Sequence, residues 1–191
     1  IVRPSHTYDE RKVPVGMHGK NGSWQILKRM QMLKPVIIHG DGTSIWTMTS
    51  SVDFAVGFTG LIGTRQAIGQ AVQIMTEEGM TWNQIYEIIA DELGVKLNAV
   101  HISSEFLAAC GKQYDFRGQL LGDKANTVIF DISKLKRLVP EFTQSVSMEK
   151  GIRKSVRFLL AHPELQIEDP DFDQWCDEVI SARDEAIASL S

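Results

Sequence analysis

The chain has 191 residues, 43% hydrophobic and 23% charged, with a net charge of −4. That composition excludes disordered and fibrous classes and suffices for one domain with a real core. At a pI near 5.7 no overall positive field exists to gather nucleic-acid phosphates, and no apolar run approaches the length of a membrane helix.

Cys110 and Cys176 stand far apart without metal-ligand spacing, which points to a reducing cytoplasm. No signal peptide opens the chain. It begins Ile1-Val2-Arg3-Pro4, without methionine, like the end of a buried strand entering a loop. That start suggests a piece of a longer protein.

Residues 5 to 22 read as loop, punctuated by Pro14, Gly16, Gly19 and Gly22. A helix is expected from Ser23, capped by its hydroxyl, with Trp24, Leu27, Met30 and Leu33 on one face. The run PVIIHGDGTSIWTM predicts two strands joined as a hairpin at Gly40-Asp41-Gly42, with His39 and Asp41 as turn residues.

Next comes GFTGLIG, where Gly57, Gly60 and Gly63 are spaced like a dinucleotide-binding turn, and Glu77 follows twenty residues after Gly57. A crossover needs at least about 10 residues including its helix. Only residues 64 to 70 separate Gly63 from the strand expected at 71–75. A helix explains the segment better. Ser50 or Ser51 caps it, Asp53 complements its dipole, Phe54, Phe58, Leu61 and Ile62 share a face, and Gly63 ends it. Gly57 and Gly60 each cost about 1 kcal/mol of helix propensity, so a close neighbour is expected there.

Thr81-Trp82-Asn83-Gln84 has the form of a capping box, followed by Ile85, Ile88, Ile89 and Leu93 on one face and Gly94 as terminator. Residues 100–102 read as a strand, with a helix after Ser103 or Ser104, and 127–131 as another strand. Ser133 caps a short helix through Leu138. A helix over 148–161 buries Ile152, Val156, Leu159 and Leu160. The last helix opens at Asp169-Pro170 and docks through Phe172, Trp175, Cys176, Val179 and Ile187. Strands alternating with helices give an α/β or α+β class.

Asp169, Asp171 and Asp173 resemble a calcium loop, but Gln174 and Ile180 stand where glycine and glutamate are required. Lys150, Arg153, Lys154 and Arg157 form a basic stripe. A solvated face is the simpler reading of it, a phosphate or RNA contact the sharper one. No metal set and no Ser/His/Asp set can be assembled.

Taken in order, IVRPSHTYD, KPVIIHGDGTSIWTMTSSVDFAVGF, TWNQIYEIIADELG and FDISKLKRLVPEF resemble the C-terminal half of the extended short-chain dehydrogenase/reductases, in an atypical NAD(P)-dependent epimerase/dehydratase subgroup. The resemblance implies a single C-terminal substrate-binding region over 1–191, with 1–9 as the end of a Rossmann strand and its active-site loop. Residues 10–191 are then substrate-domain elements with some Rossmann-flanking helices and strands.

The family's Tyr-x-x-x-Lys and glycine-rich turn have no counterpart here, so the cofactor half would precede this chain and no catalytic residue is expected within it. The resemblance places Pro4 and Ser5 near the nicotinamide of NAD or NADP. It places His6, Thr7, Tyr8 and Trp46 near the substrate, a sugar-nucleotide or another small hydroxylated molecule. Asparagine often stands in the family where His6 stands, and a diphosphate-binding arginine where Trp46 stands. Trp46 cannot donate arginine's bidentate bonds, so either an aromatic ligand contact or plain packing fits it, and Lys20 is a candidate compensating charge. The implied partners are the N-terminal cofactor half, the small substrate and a possible second copy. The alternative is an RNA-binding or non-catalytic member of the same group.

Overall fold

A computed structural model describes residues 1–190. The strands are short and pair two by two. β1 (Val2–Arg3) runs parallel to β6 (Val72–Gln73), and β2 (Thr7–Tyr8) parallel to β5 (Thr49–Ser50). β3 (Val36–His39) runs parallel to β8 (Ala99–Ile102), while β4 (Ile45–Thr47) is antiparallel to β7 (Gly79–Thr81). The helices are α1 (Trp24–Gln31), α2 (Ser51–Leu61), α3 (Trp82–Glu92), α4 (Ser104–Ala109), α5 (Ser133–Leu138), α6 (Met148–Ala161) and α7 (Pro170–Leu190). A π-helical segment spans Arg117–Lys124.

The expected hairpin at Gly40-Asp41-Gly42 does not form, because β3 and β4 take partners elsewhere. All four residues of β3 are buried, and a strand covered on both faces suits a parallel ladder better than a two-stranded ribbon. The turn itself is present. Gly40 and Gly42 have φ of 62° and 72°, and the Asp41 carboxylate accepts from the Thr43 N–H at 2.9 Å. Residues 127–131 form no strand. They run beside β4, with the Val128 N–H donating to the Ile45 carbonyl at 2.9 Å and Ile129 facing outward.

GFTGLIG is helical, as α2. The Ser50 hydroxyl caps it, accepting from the Asp53 N–H at 3.1 Å, and Gly63 follows it at φ 79°. A Cβ on Gly57 would fall 2.8 Å from Ile74, and one on Gly60 would strike Val139. Both glycines therefore admit neighbouring elements to close packing. Phe54 and Leu61 pack on a small core of Val72, Ile74, Met75, Ile132, Leu135, Val139 and Phe142, whereas Phe58 and Ile62 are exposed. Leu33, Leu160 and Ile187 are also exposed, contrary to their place on expected apolar faces. Leu33 ends α1 at φ 55°, the Ser23 hydroxyl makes no capping bond, and at α5 it is Asp131 that accepts from the Ser133 N–H.

A larger core gathers α1, β3, α3, α6 and α7. The capping box of α3 is complete. The Thr81 hydroxyl accepts from the Gln84 N–H at 3.2 Å, and the Gln84 side chain accepts from the Thr81 N–H at 2.9 Å. Thr81→Ala should therefore cost about 1 kcal/mol, read as a lower denaturation midpoint. A melt identical to the parent's would show that the cap contributes nothing.

Candidate substrate site at the β1–β2 loop

The loop from Pro4 to His6 leaves the carboxyl end of β1 and is pinned where the Thr49 N–H donates to the His6 carbonyl at 3.0 Å. Crevices outside the carboxyl ends of parallel strands are where ligands collect in open α/β sheets. Pro4 and Thr7 are exposed and Ser5 is half-buried. The His6 ring meets Trp46 edge-on at 6.0 Å, Trp46 lies 5.6 Å from Trp82, and Trp82 lies 5.1 Å from His39. These four rings form one wall drawn from the loop, β4, α3 and β3.

Trp46 is 3% exposed. Its faces are occupied by neighbours, so packing accounts for most of its surface. Its indole N–H has no partner. Tyr8 is separated from this wall and buried against Gly151 of α6. Burial, then the charges of Glu78 and Asp53, push its phenol up to about 12, so it stays protonated at neutral pH. Lys20, the expected compensating cation, is exposed.

A different lysine occupies the site. Lys124 is 9% exposed and its ammonium donates to the Gly16 carbonyl at 2.8 Å. Its own carbonyl is a hub, 3.1 Å from His39 Nε2, 3.2 Å from Trp82 Nε1 and 3.0 Å from Ser44 Oγ. Because a carbonyl only accepts, His39 carries its proton on Nε2 and leaves Nδ1 bare, without a partner. Burial and the nearby charge of Lys12 push Lys124 down to about 8. Burial, then Lys124 and Lys12, push His6 down to about 4. Burial likewise holds His39 near 4, against the bond to the Lys124 carbonyl. Both imidazoles are thus neutral at pH 7, and the charge of the site rests on the lysines. Nothing in the run RGQLLGDK marks Lys124, because its importance lies in burial and in the three donors on its carbonyl.

Other candidates are absorbed structurally. Asp169 caps α7, accepting from the Phe172 N–H at 3.1 Å. The basic stripe of α6 is neutralised in large part. Arg153 pairs with Asp91, Glu92 and Glu149, Arg157 with Glu92, and Lys154 with Glu10. Among the described residues no group of three or more His, Cys, Asp or Glu could hold a metal ion, and no helix is long and apolar enough to cross a membrane.

Structural comparison matches the chain to an epimerase from Methanothermobacter thermautotrophicus at a TM-score of 0.64 and 19% identity, covering 86% of this chain and 44% of that one. It also matches the Bacillus cereus UDP-glucuronic acid 4-epimerase, solved with UDP-glucuronic acid and NAD, at 0.60 and 20% identity over 84% and 44% of the two chains. The α/β fold is that of roughly the C-terminal 44% of such epimerase chains. UDP-glucose 4-epimerase from Thermotoga maritima gives a TM-score of 0.58 at 20% identity, over 85% and 46%. Among curated proteins, 2'-dehydrokanamycin reductase of Streptomyces kanamyceticus is 23% identical over 129 residues, which is 68% of this chain and 35% of the reductase. No protein-family model matches. The chain therefore spans between a third and a half of the length of these matched proteins.

Proposed function

We propose that the chain is the substrate-binding part of an NAD(P)-dependent epimerase- or reductase-type oxidoreductase acting on a sugar-nucleotide or another small hydroxylated molecule. The observation that carries this is the route of the Pro4–His6 loop. It leaves the carboxyl end of a parallel strand and delivers His6 to a polar, aromatic-walled cluster built by four other segments. The names of the matched proteins, one a reductase and the others epimerases, of which the Bacillus cereus enzyme was solved with UDP-glucuronic acid and NAD, agree with it.

In this reading Pro4 and Ser5 face the nicotinamide, which supplies hydride exchange when bound. His6 and Thr7 meet the substrate, and the buried Tyr8 and Trp46 shape the loop from behind. The residues present fit contacts on the nicotinamide side only, since the one glycine-rich candidate for a phosphate cradle is the helix α2. Proton and hydride transfer would fall to groups outside these residues, because Tyr8 is held protonated and His6 and His39 are weak bases.

The test is to express the complete gene product that contains the chain and assay NAD(P)-dependent conversion of a sugar-nucleotide panel. Turnover supports the proposal. A full-length product that neither binds a dinucleotide nor converts any of the panel removes it. RNA binding by the full-length product in place of turnover would favour the non-enzymatic alternative.

A further inference from the structure

Lys124 is unusual in forming no ion pair with a carboxylate among the described residues despite its burial. Buried ammonium groups are costly unless paired, yet the acceptor of this one is a single neutral carbonyl, that of Gly16. An ammonium has three donors; one meets the Gly16 carbonyl, and the Trp82 ring lies 5.9 Å from the ammonium without supplying a hydrogen-bond acceptor oxygen or a charge. The position is also fixed from behind. Three donors converge on the Lys124 carbonyl at the end of a π-helical segment, so the backbone that aims the side chain cannot shift without breaking all three. Irregular helical turns of this kind concentrate at functional sites.

The surroundings are cationic or neutral. Lys12 lies within electrostatic reach of Lys124, His6 and His18, and Lys124 within reach of both histidines. Lys12 and Lys124 form no ion pair among the described residues. The acids that face the cluster are Asp123 beside Lys124 and Asp169 beside His18, and Asp169 is already occupied as a helix cap. The unpartnered indole N–H of Trp46 adjoins His6. A buried cation whose only hydrogen-bond acceptor is one carbonyl, with a second cation within electrostatic reach and the Trp46 ring edge-on to the neighbouring His6, complements an oxyanion.

We propose that Lys124, assisted by Lys12 and the His6 ring, is a specificity-determining residue that receives one oxyanion of the substrate, a carboxylate or a phosphate. This rests on the reading of the cluster as the substrate site. It adds to that reading a charge requirement that the tryptophan at position 46 could not supply. The site takes a single anionic group in place of a diphosphate clamped by arginine. Because the ammonium has no ion-pair partner among the described residues, anion binding weakens as pH rises through about 8, where Lys124 loses its proton. His6, His18 and His39 are already neutral there.

The test needs neither cofactor nor turnover, so it stands or falls separately from the oxidoreductase assay. The chain is titrated with inorganic phosphate, with glucuronate and with its neutral counterpart glucose, following tryptophan fluorescence and the shift in melting temperature. One of the two anions should bind and glucose should not, which also identifies the anion's source. Lys124→Met should weaken that binding about tenfold or more, the loss of one charge-assisted hydrogen bond, and Lys12→Ala should weaken it by a smaller factor. The proposal is overturned if neither anion binds, if glucose binds as well as glucuronate, or if a folded Lys124→Met protein binds the anion as the parent does. Should Lys124→Met fail to fold, the exposed Lys12 decides: unchanged affinity in Lys12→Ala overturns the proposal, and weakened affinity supports it.

Discussion

Arg29→Met lowers the unfolding free energy by about 3 kcal/mol, the cost expected for removing one partner of a buried ion pair. The side chain of Arg29 is fully buried on α1. It donates to the Pro35 carbonyl at 2.8 Å, to Asp173 at 2.6 Å and to Asp177 at 2.7 Å, and Lys34 bonds the same two carboxylates. This is the fastening of α7 to the body of the protein. Methionine replaces the aliphatic stem but leaves the Pro35 carbonyl without its donor and both acids with Lys34 alone.

Burial pushes Asp173 and Asp177 up, but the hydrogen bonds from Lys34 and Arg29 outweigh it and hold both below the ordinary aspartate range. A carboxyl depressed in the native state stabilises above its unfolded value of about 3.9, and that stability is lost as pH falls through the native value. The parent should therefore lose stability below about pH 4 more steeply than Arg29→Met. The acids' partial exposure keeps this share modest. Urea denaturation of both proteins at neutral and acid pH measures it. Equal midpoints at neutral pH would mean that the network does not hold the helix.

Gly60→Val should destabilise the chain by about 1–3 kcal/mol through overpacking. The added branches would enter the Val139 side chain, where α2 meets the segment after α5. Gly63→Val should also destabilise, for a different reason. Open space surrounds Gly63, and the penalty comes from its left-handed backbone, which β-branched residues adopt at high cost. Neither the parent nor either variant should bind NADH at micromolar concentration, because the glycines serve packing and helix termination. Fluorescence titration of NADH, with denaturation of each variant, separates the two outcomes. Tight NADH binding abolished by Gly60→Val would restore the dinucleotide-loop interpretation.

Local chemistry decided the helices. The capping box at Thr81, the Ser50 cap with Asp53 behind it, and the Asp169 carboxylate before Pro170 each satisfy orphan N–H groups of a helix from within a few residues. Such signals need no distant partner, and they overrode the glycine spacing of GFTGLIG. The order of short motifs, with the Arg-Pro strand end, the Gly-Asp-Gly turn and the helix after it, was likewise legible as a family resemblance.

Pairing was not local. Whether Val36–His39 turns back on Ile45–Thr47 or joins Ala99–Ile102 depends on which ladder buries both of its faces, and that competition involves residues more than sixty positions away. The exposure of Phe58, Ile62 and Leu160 was decided the same way, since an apolar stripe states what a helix can bury and not how much of it finds a neighbour. The site divides along this line. The loop of His6 was singled out by the family resemblance. Lys124 was not, because its charge matters through what surrounds it: a carbonyl from residue 16, an aromatic wall from residues 39, 46 and 82, and no carboxylate ion pair among the described residues. Sequence carries the identity of a cation, while only the tertiary structure determines whether water, an acid or a substrate is left to neutralise it.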